Sequence, residues 1–402
     1  MRRGTLSEAV LFLNTLLSSN MVCCFEISMR LLFLSHSDGV KAGRRGRRYS
    51  TITSLPVTSK SPDAFHGRGE STGIIFLRPV GKDGVAAGDK LGCIRIFEDL
   101  DADGTPRPAS ASFCQSINGE TNRPSPIFSL DLAVDKQQIF SGSGDRYVSV
   151  WEKEDDNWFR VQKLGPHTGW VRDVLYNEHS GRLHSIGCNC IETWKLSEDG
   201  KWEHEKRSQI ESSPLDGATL SSDLLCLSSL EDSYFLAGGV DGRLHLWDSL
   251  SMSSPVRSIP AHEGRVNAIE CGTSGLVFTA GNDGKVKCWT YSTGKRCLEI
   301  VSEFQVQQSR VTSLSSVGMG SYDEYLFCGT NLGEVSLLCL KNRHNKVNLV
   351  TIFQIPQRPM IHCIYVKTEK EPSLWIGHSN GLSVFALASL TNLESMRSNE
   401  GL

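Results

Sequence analysis

Much of what marks an enzyme, a secreted scaffold or a membrane protein is missing from these 402 residues. No H-E-x-x-H, P-loop or dinucleotide fingerprint occurs, so the reactions those strings serve have no visible foothold. There is no C-x-x-C pair and no N-x-S/T sequon, and the 13 cysteines are scattered. Both absences weigh against a secreted chain stapled by disulfides. The close pairs Cys23/Cys24 and Cys188/Cys190 lack the second downstream pair of a zinc site. Such cysteines read as small buried hydrophobes. Long apolar runs are missing too: Ala9–Leu17 is broken by Asn14 and falls well short of the about 20 residues a spanning helix needs. Neither charge sign dominates. Lys+Arg is 42 and Asp+Glu is 45, net −3, which gives the whole protein no electrostatic bias toward nucleic acid or membranes.

What is present is unevenly distributed. Residues 1–60 hold nine Lys/Arg and three Asp/Glu, leaving 33 against 42 in the remainder, so a basic extension (+6) precedes an acidic body (−9). From Met29 to Lys60 the chain is rich in Arg and Ser/Thr, with Asp38 its only acid. That composition suits an organelle transit peptide, plastid or mitochondrial. The run Arg44–Arg48 also suits a nuclear signal, and a disordered tail of a cytoplasmic protein is the third reading. Residues 1–48 are therefore expected to be a disordered or targeting extension. Residues 391–402 are expected to be a flexible tail.

The body repeats itself with a period of about 45 residues. Small residues, a turn with Asp or Asn, and alternating apolar residues ending in an aromatic recur as SGSGDRYVSVW (141–151), AGGVDGRLHLWD (237–248), TAGNDGKVKCW (279–289) and SIGCNCIETW (185–194). Weaker copies are LGCIRIF (91–97), GTNLGEVSLL (329–338) and IGHSNGLSVF (376–385). Seven units result, ending at Phe97, Trp151, Trp194, Trp247, Trp289, Leu338 and Phe385. Each reads as short strands of period two between tight turns, served by a glycine count of 37. Helix-length amphipathic windows are scarce after residue 70. The proline-rich stretch 100–126 reads as an irregular loop.

These residues resemble the WD-repeat (tryptophan–aspartate repeat) β-propeller family over about residues 50–390, strongly in units two, four and five. The resemblance implies an all-β fold: a seven-bladed propeller of four-stranded antiparallel blades spanning 49–390. It also implies a buried relay of His, Ser/Thr, Asp and Trp within each blade. His262, Thr279, Asp283 and Trp289 match all four. Unit two offers Ser141, Asp145 and Trp151 without the histidine. Unit four offers Asp241 and Trp247, with Ala237 in the hydroxyl position. Unit three offers His167, Ser185 and Trp194, with Cys188 at the Asp spacing. Leu91 and Leu332 replace the Asp in units one and six. A family member also closes its ring with an N-terminal strand, and YSTITSLPV (49–57) is the expected clasp.

These turn acids and histidines are read as structural, and the other histidines do not cluster with acids at ligand spacing. The expectation is therefore no enzyme, no metal, no cofactor and no small-molecule substrate. By the family pattern the exposed rim positions are Trp170, Arg172, Arg265, Asn267, Asn282, Arg310 and His362. Trp, Arg and Asn are interface-forming side chains. The arginines could grip an acidic or phosphorylated peptide by forked hydrogen bonds. The expected function is a scaffold or adaptor for protein partners, with no membrane and no nucleic-acid role. One alternative is a substrate receptor of a cullin-type ubiquitin ligase. It is disfavoured because Glu154, Ser197, Leu250 and Ser292 stand where a basic residue would follow each Trp. The other is an enzyme with a loop-built site.

Overall fold

Runs of β-branched and aromatic residues separated by Gly, Asn and Asp turns leave this chain little choice but antiparallel hairpins. A computed structural model describes residues 32–33, 50–51, 73–80, 84–100, 106–114, 124–155, 157–210, 223–231, 233–272, 275–306, 309–319, 323–341, 346–368 and 372–387. Residues 73–387 form seven antiparallel sheets in chain order, the blades of a β-propeller. Blade one is Ile74–Val80, Gly84–Asp89, Cys93–Leu100 and Pro106–Cys114. Blades two to six repeat this four-strand order, beginning at Ile127, Asp173, Leu224, Val266 and Val311. Blade seven has three strands among the described residues: Ile361–Lys367, Ser373–His378 and Gly381–Ala386. All seven unit-ending residues fall on third strands.

A single blade cannot bury both faces by itself, so the core is divided among the seams. Seven hydrophobic clusters lie at the seven junctions between neighbouring blades. One joins Ile74, Leu77, Val85, Ala87 and Phe97 of blade one to Cys363 and Trp375 of blade seven, and this seam closes the ring. Phe97 and Trp375 meet there with ring centroids 5.8 Å apart. First strands are also latched across seams. Asp131 accepts the Tyr176 N–H at 2.7 Å, Asp173 the Leu227 N–H at 2.7 Å, and Glu270 the Ser316 N–H at 2.9 Å. Each carboxylate covers a backbone donor on the exposed edge of the next blade. Arg78 pairs with Asp131 at 2.6 Å beside these latches.

Two expectations are corrected. The stretch 100–126 is not simply irregular, because Pro106–Cys114 is the fourth strand of blade one. Its prolines sit on an outermost strand, where a missing N–H costs no ladder bond, and the register breaks at Phe97 and Leu100. Of the expected clasp 49–57 only Ser50–Thr51 is described, pairing with Leu32–Phe33, and the rest lies outside the described residues. Cys93 is not a simple buried hydrophobe but is disulfide-bonded, with Cys114 its cross-strand neighbour in register. Apart from Leu32–Phe33, the expected extension 1–48 lies outside the described residues, as does the tail 391–402.

Candidate functional site

In an antiparallel blade the entry to the first strand and the turn after the second strand lie at one end. A backbone bond fastens them. In blades one, two, four, five, six and seven, the residue opening that turn donates to the carbonyl just before the first strand; Lys90 to Gly73 (3.1 Å), Asn282 to Arg265 (3.0 Å) and Ser379 to Met360 (2.9 Å) are examples. In the same six blades the register shifts at the second residue of the first strand. Such a bulge re-aims a side chain. It selects Phe128, Asn267, Thr312 and His362, so a ring of non-core side chains crowns this end. Sequence spacing alone does not show the bulge.

The best-ordered part of the crown spans blades two and three. Trp170 is 54% exposed, yet it stacks on Phe128 at 5.6 Å with 27° between the rings. The Arg172 guanidinium lies 4.9 Å from each ring centroid. Burial, and then the neighbouring Arg265, hold the Arg172 pKa below its ordinary value. Arg265 and Arg310 are exposed and make no ion pair among the described residues. Asn267 is engaged: its amide donates to Asn282 Oδ1 at 2.9 Å and to the Val311 carbonyl at 2.8 Å, tying blade five to blade six. His362 is half-buried, and its Nε2 has no hydrogen-bond partner among the described residues. Burial, then Lys90, drives its pKa down to about 4. The neutral ring therefore contributes no charge at pH 7.

The blade interiors hold the other residues singled out from sequence. In blade five, Thr279 Oγ1 accepts the Trp289 indole N–H at 2.9 Å and contacts His262 Nε2 at 2.8 Å, while His262 Nδ1 lies 3.0 Å from Asp283. Asp283 in turn accepts the Lys285 and Glu263 N–H groups, at 3.0 and 3.1 Å. In blade two, Trp151 donates to Ser141 at 2.9 Å, and Lys163 of the fourth strand lies 3.2 Å from Asp145. In blade three, Trp194 donates to Ser185 at 2.8 Å and His167 Nε2 lies 3.0 Å from the same hydroxyl. The expectation for Cys188 needs correcting there. The second turn is one residue shorter than in blade five, Gly187 pairing directly with Cys190, and Cys188 sits in it at φ 57°. Among the described residues none occupies the acid position, and His167 Nδ1 has no partner. Burial lowers its pKa to about 4. In blade four, Asp241 accepts the Arg243 N–H at 3.0 Å, but Trp247 Nε1, fully buried beside Ala237, has no acceptor among the described residues.

Sequence reasoning missed how blades one and six manage without a turn acid. The last residue of the second strand substitutes. Asp89 accepts the Leu91 and Cys93 N–H groups at 2.9 and 2.8 Å, and Thr330 Oγ1 accepts those of Leu332 and Glu334 at 3.3 and 3.1 Å. A polar residue two before the leucine was the available signal. It also passed over Gly377-His378-Ser379-Asn380-Gly381, which spells G-x-S-x-G. The nucleophile elbow needs a strand-to-helix turn, whereas Ser379 sits in a hairpin between two strands, and His378 Nε2 contacts Ser383 at 2.9 Å. Among the described residues no group of three or more His, Cys, Asp or Glu is placed to hold a metal.

Comparison with known proteins agrees with this geometry. The WD domain, G-beta repeat, matches residues 112–152, 213–248 and 253–290. Protein HIR1 of Cryptococcus neoformans is 26% identical over 189 residues, covering 42% of this chain but only 21% of HIR1. The methylosome protein WDR77 of Xenopus laevis is 25% identical over 243 residues, 59% of this chain and 68% of that protein. A guanine nucleotide-binding protein subunit beta of Oryza sativa is 26% identical over 277 residues, 56% of this chain and 71% of that one. The matched repeats end in blades two, four and five, and this chain is a seven-bladed β-propeller, three of whose blades carry segments that match the WD repeat.

Proposed function

We propose that this chain is a non-enzymatic scaffold or adaptor that binds protein partners on the crowned end of the ring. The observation that carries the reading is Trp170, an exposed indole held flat against Phe128 beneath Arg172. Side chains already ordered before binding lose little entropy on contact, and Trp with Arg is the composition of an interface hot spot. The loops stand on a frame with seven separate cores, so their spacing is kept. The rice relative's own name, a subunit, supports the same reading. Arg172, Arg265 and Arg310 suit a partner segment bearing carboxylates or phosphates.

The test is affinity purification of the full chain from its native cell with quantitative mass spectrometry, wild type against Trp170→Ala/Arg172→Glu. A stable complex retained by wild type and depleted at least tenfold in the double variant is expected. Complexes of equal composition and yield would overturn the reading.

A further inference from the structure

The opposite side of the same end, over blades six, seven and one, carries different chemistry. Leu91 and Leu332 occupy the turn position that Asp145, Asp241 and Asp283 fill elsewhere, and they are 37% and 47% exposed. Between them blade seven has a two-residue turn, His378 pairing directly with Gly381. Met360, 42% exposed, borders it. The pieces are contiguous. Gly333 packs on Arg358 and Pro359, with 2.8 Å from its would-be Cβ to the Arg358 Cα. The Met360 carbonyl accepts the Ser379 N–H at 2.9 Å. Gly73 packs on the Ser379 carbonyl and on the end of the Lys90 side chain.

Cations ring these aliphatic side chains. Lys90, Arg310 and Arg358 are exposed, and none forms an ion pair among the described residues. The nearby acid Glu334 accepts from Ser309 at 3.2 Å. Arg358 is presented by two consecutive left-handed residues, Gln357 (φ 63°) and Arg358 (φ 50°), a conformation disfavoured for both types and found at functional sites. Asp89 and Thr330 hold the turn amides in their place, so the turns do not require the two leucines, which stand exposed beside three cations that have no ion-pair partner among the described residues.

Resting on the reading that this end of the ring carries the partners, we propose that the surface over blade seven is a second subsite for an acidic peptide. Aliphatic side chains of the peptide pack among Leu91, Leu332 and Met360, and flanking carboxylates meet Lys90, Arg310 and Arg358. A peptide fits better than a lipid surface because residues 61–402 are net −9 (33 Lys/Arg against 42 Asp/Glu), which repels an anionic bilayer outside this one patch.

The experiment is selection of a random dodecapeptide phage library on the immobilised full chain, followed by fluorescence polarisation with the enriched peptides. Leu91→Asp/Leu332→Asp places a carboxylate at the turn position of blades two, four and five. Leu91→Ser/Leu332→Ser removes the same aliphatic side chains without a charge beside Asp89, so the serine variant should keep the wild-type melting temperature and lose the peptides as well. Enriched peptides should place Leu, Ile, Val or Met beside Asp or Glu. Their affinity should fall at least tenfold in Leu91→Asp/Leu332→Asp and in Lys90→Glu/Arg358→Glu, but less than twofold in Trp170→Ala. Loss in Trp170→Ala with none in the leucine variants would overturn this inference while sparing the reading it rests on. No enrichment, basic peptides, or equal binding by all variants would also overturn it. So would co-sedimentation with phosphatidylserine vesicles, lost in the same variants without peptide binding, which would make the patch a lipid contact.

Discussion

At the residue scale, the blades can be compared as natural variants of one hydrogen-bond design. Thr279 in blade five serves two partners, His262 and Trp289. Ala237 serves none, and the Trp247 N–H is left buried without an acceptor among the described residues. A lost partner in a closed interior costs about 1–3 kcal/mol. Ala237→Ser should therefore stabilise the protein by about 1 kcal/mol, seen as a higher urea midpoint at unchanged m-value. A lower midpoint would mean that the pocket beside Trp247 cannot accommodate the hydroxyl. The relay residues Ser141, Ser185, Thr279 and their tryptophans could be found from sequence because they are close in chain position. The empty acid position of blade three could not be, because a one-residue shortening of the turn moves Cys188 out of place.

At the scale of elements, turn and strand share the work of holding each hairpin. Asp89 bonds two turn amides and pairs with Arg95 at 2.9 Å. Asp89→Ala removes the carboxylate oxygen that accepts both bonds and should cost about 2 kcal/mol, at about 1 kcal/mol for each bond. Hydrogen exchange at the Leu91 and Cys93 amides should accelerate before other strands of blade one respond, whereas unchanged protection there would place the anchor elsewhere. The bulged first strands show what an element adds that its residues do not. Alternation in RVNAIE or IHCIYV suggests which side chains face inward, but the register break decides that Asn267 and His362 turn toward the crown. Register depends on the partner strand and on the linker bond above it, neither of which is local.

At the scale of the whole molecule, closure and titration are collective. The seam between blades seven and one joins residues from the two ends of the described ring. Trp375, 2% exposed, is its largest side chain. Trp375→Ala should cost about 3–5 kcal/mol, with the first loss of exchange protection in blades one and seven. Simultaneous loss around the ring would show that the seam is no weaker than the others.

Acid should also weaken the fold. Burial lowers the pKa of His167, His362 and His378 to about 4 and of His184 to about 3, from 6.5. The unfolded chain then binds these protons first, so stability falls as pH drops from about 6.5 toward 4. Asp173 acts oppositely: burial raises it to about 6 from 3.8, so its share is full below about 4 and is lost as pH rises through 6. Burial also raises Glu270 and lowers His245 and His262, so histidines outnumber the opposing carboxylates and the urea midpoint should fall from pH 7.5 to 5. A flat profile would contradict the buried neutral imidazoles, and His184→Gln should shallow the slope.

The sequence by itself determined the seven units, their turns and the third-strand residues from Phe97 to Phe385, because period-two alternation and turn chemistry are local. It also determined which blade holds the full set of relay residues, His262, Thr279, Asp283 and Trp289. Only the tertiary structure decided that Trp375 meets Phe97, that Asp131 and Asp173 latch neighbouring blades, and that the crown divides into an aromatic side and an aliphatic side. Those outcomes depend on contacts between blades, where burial is shared by residues far apart in the chain.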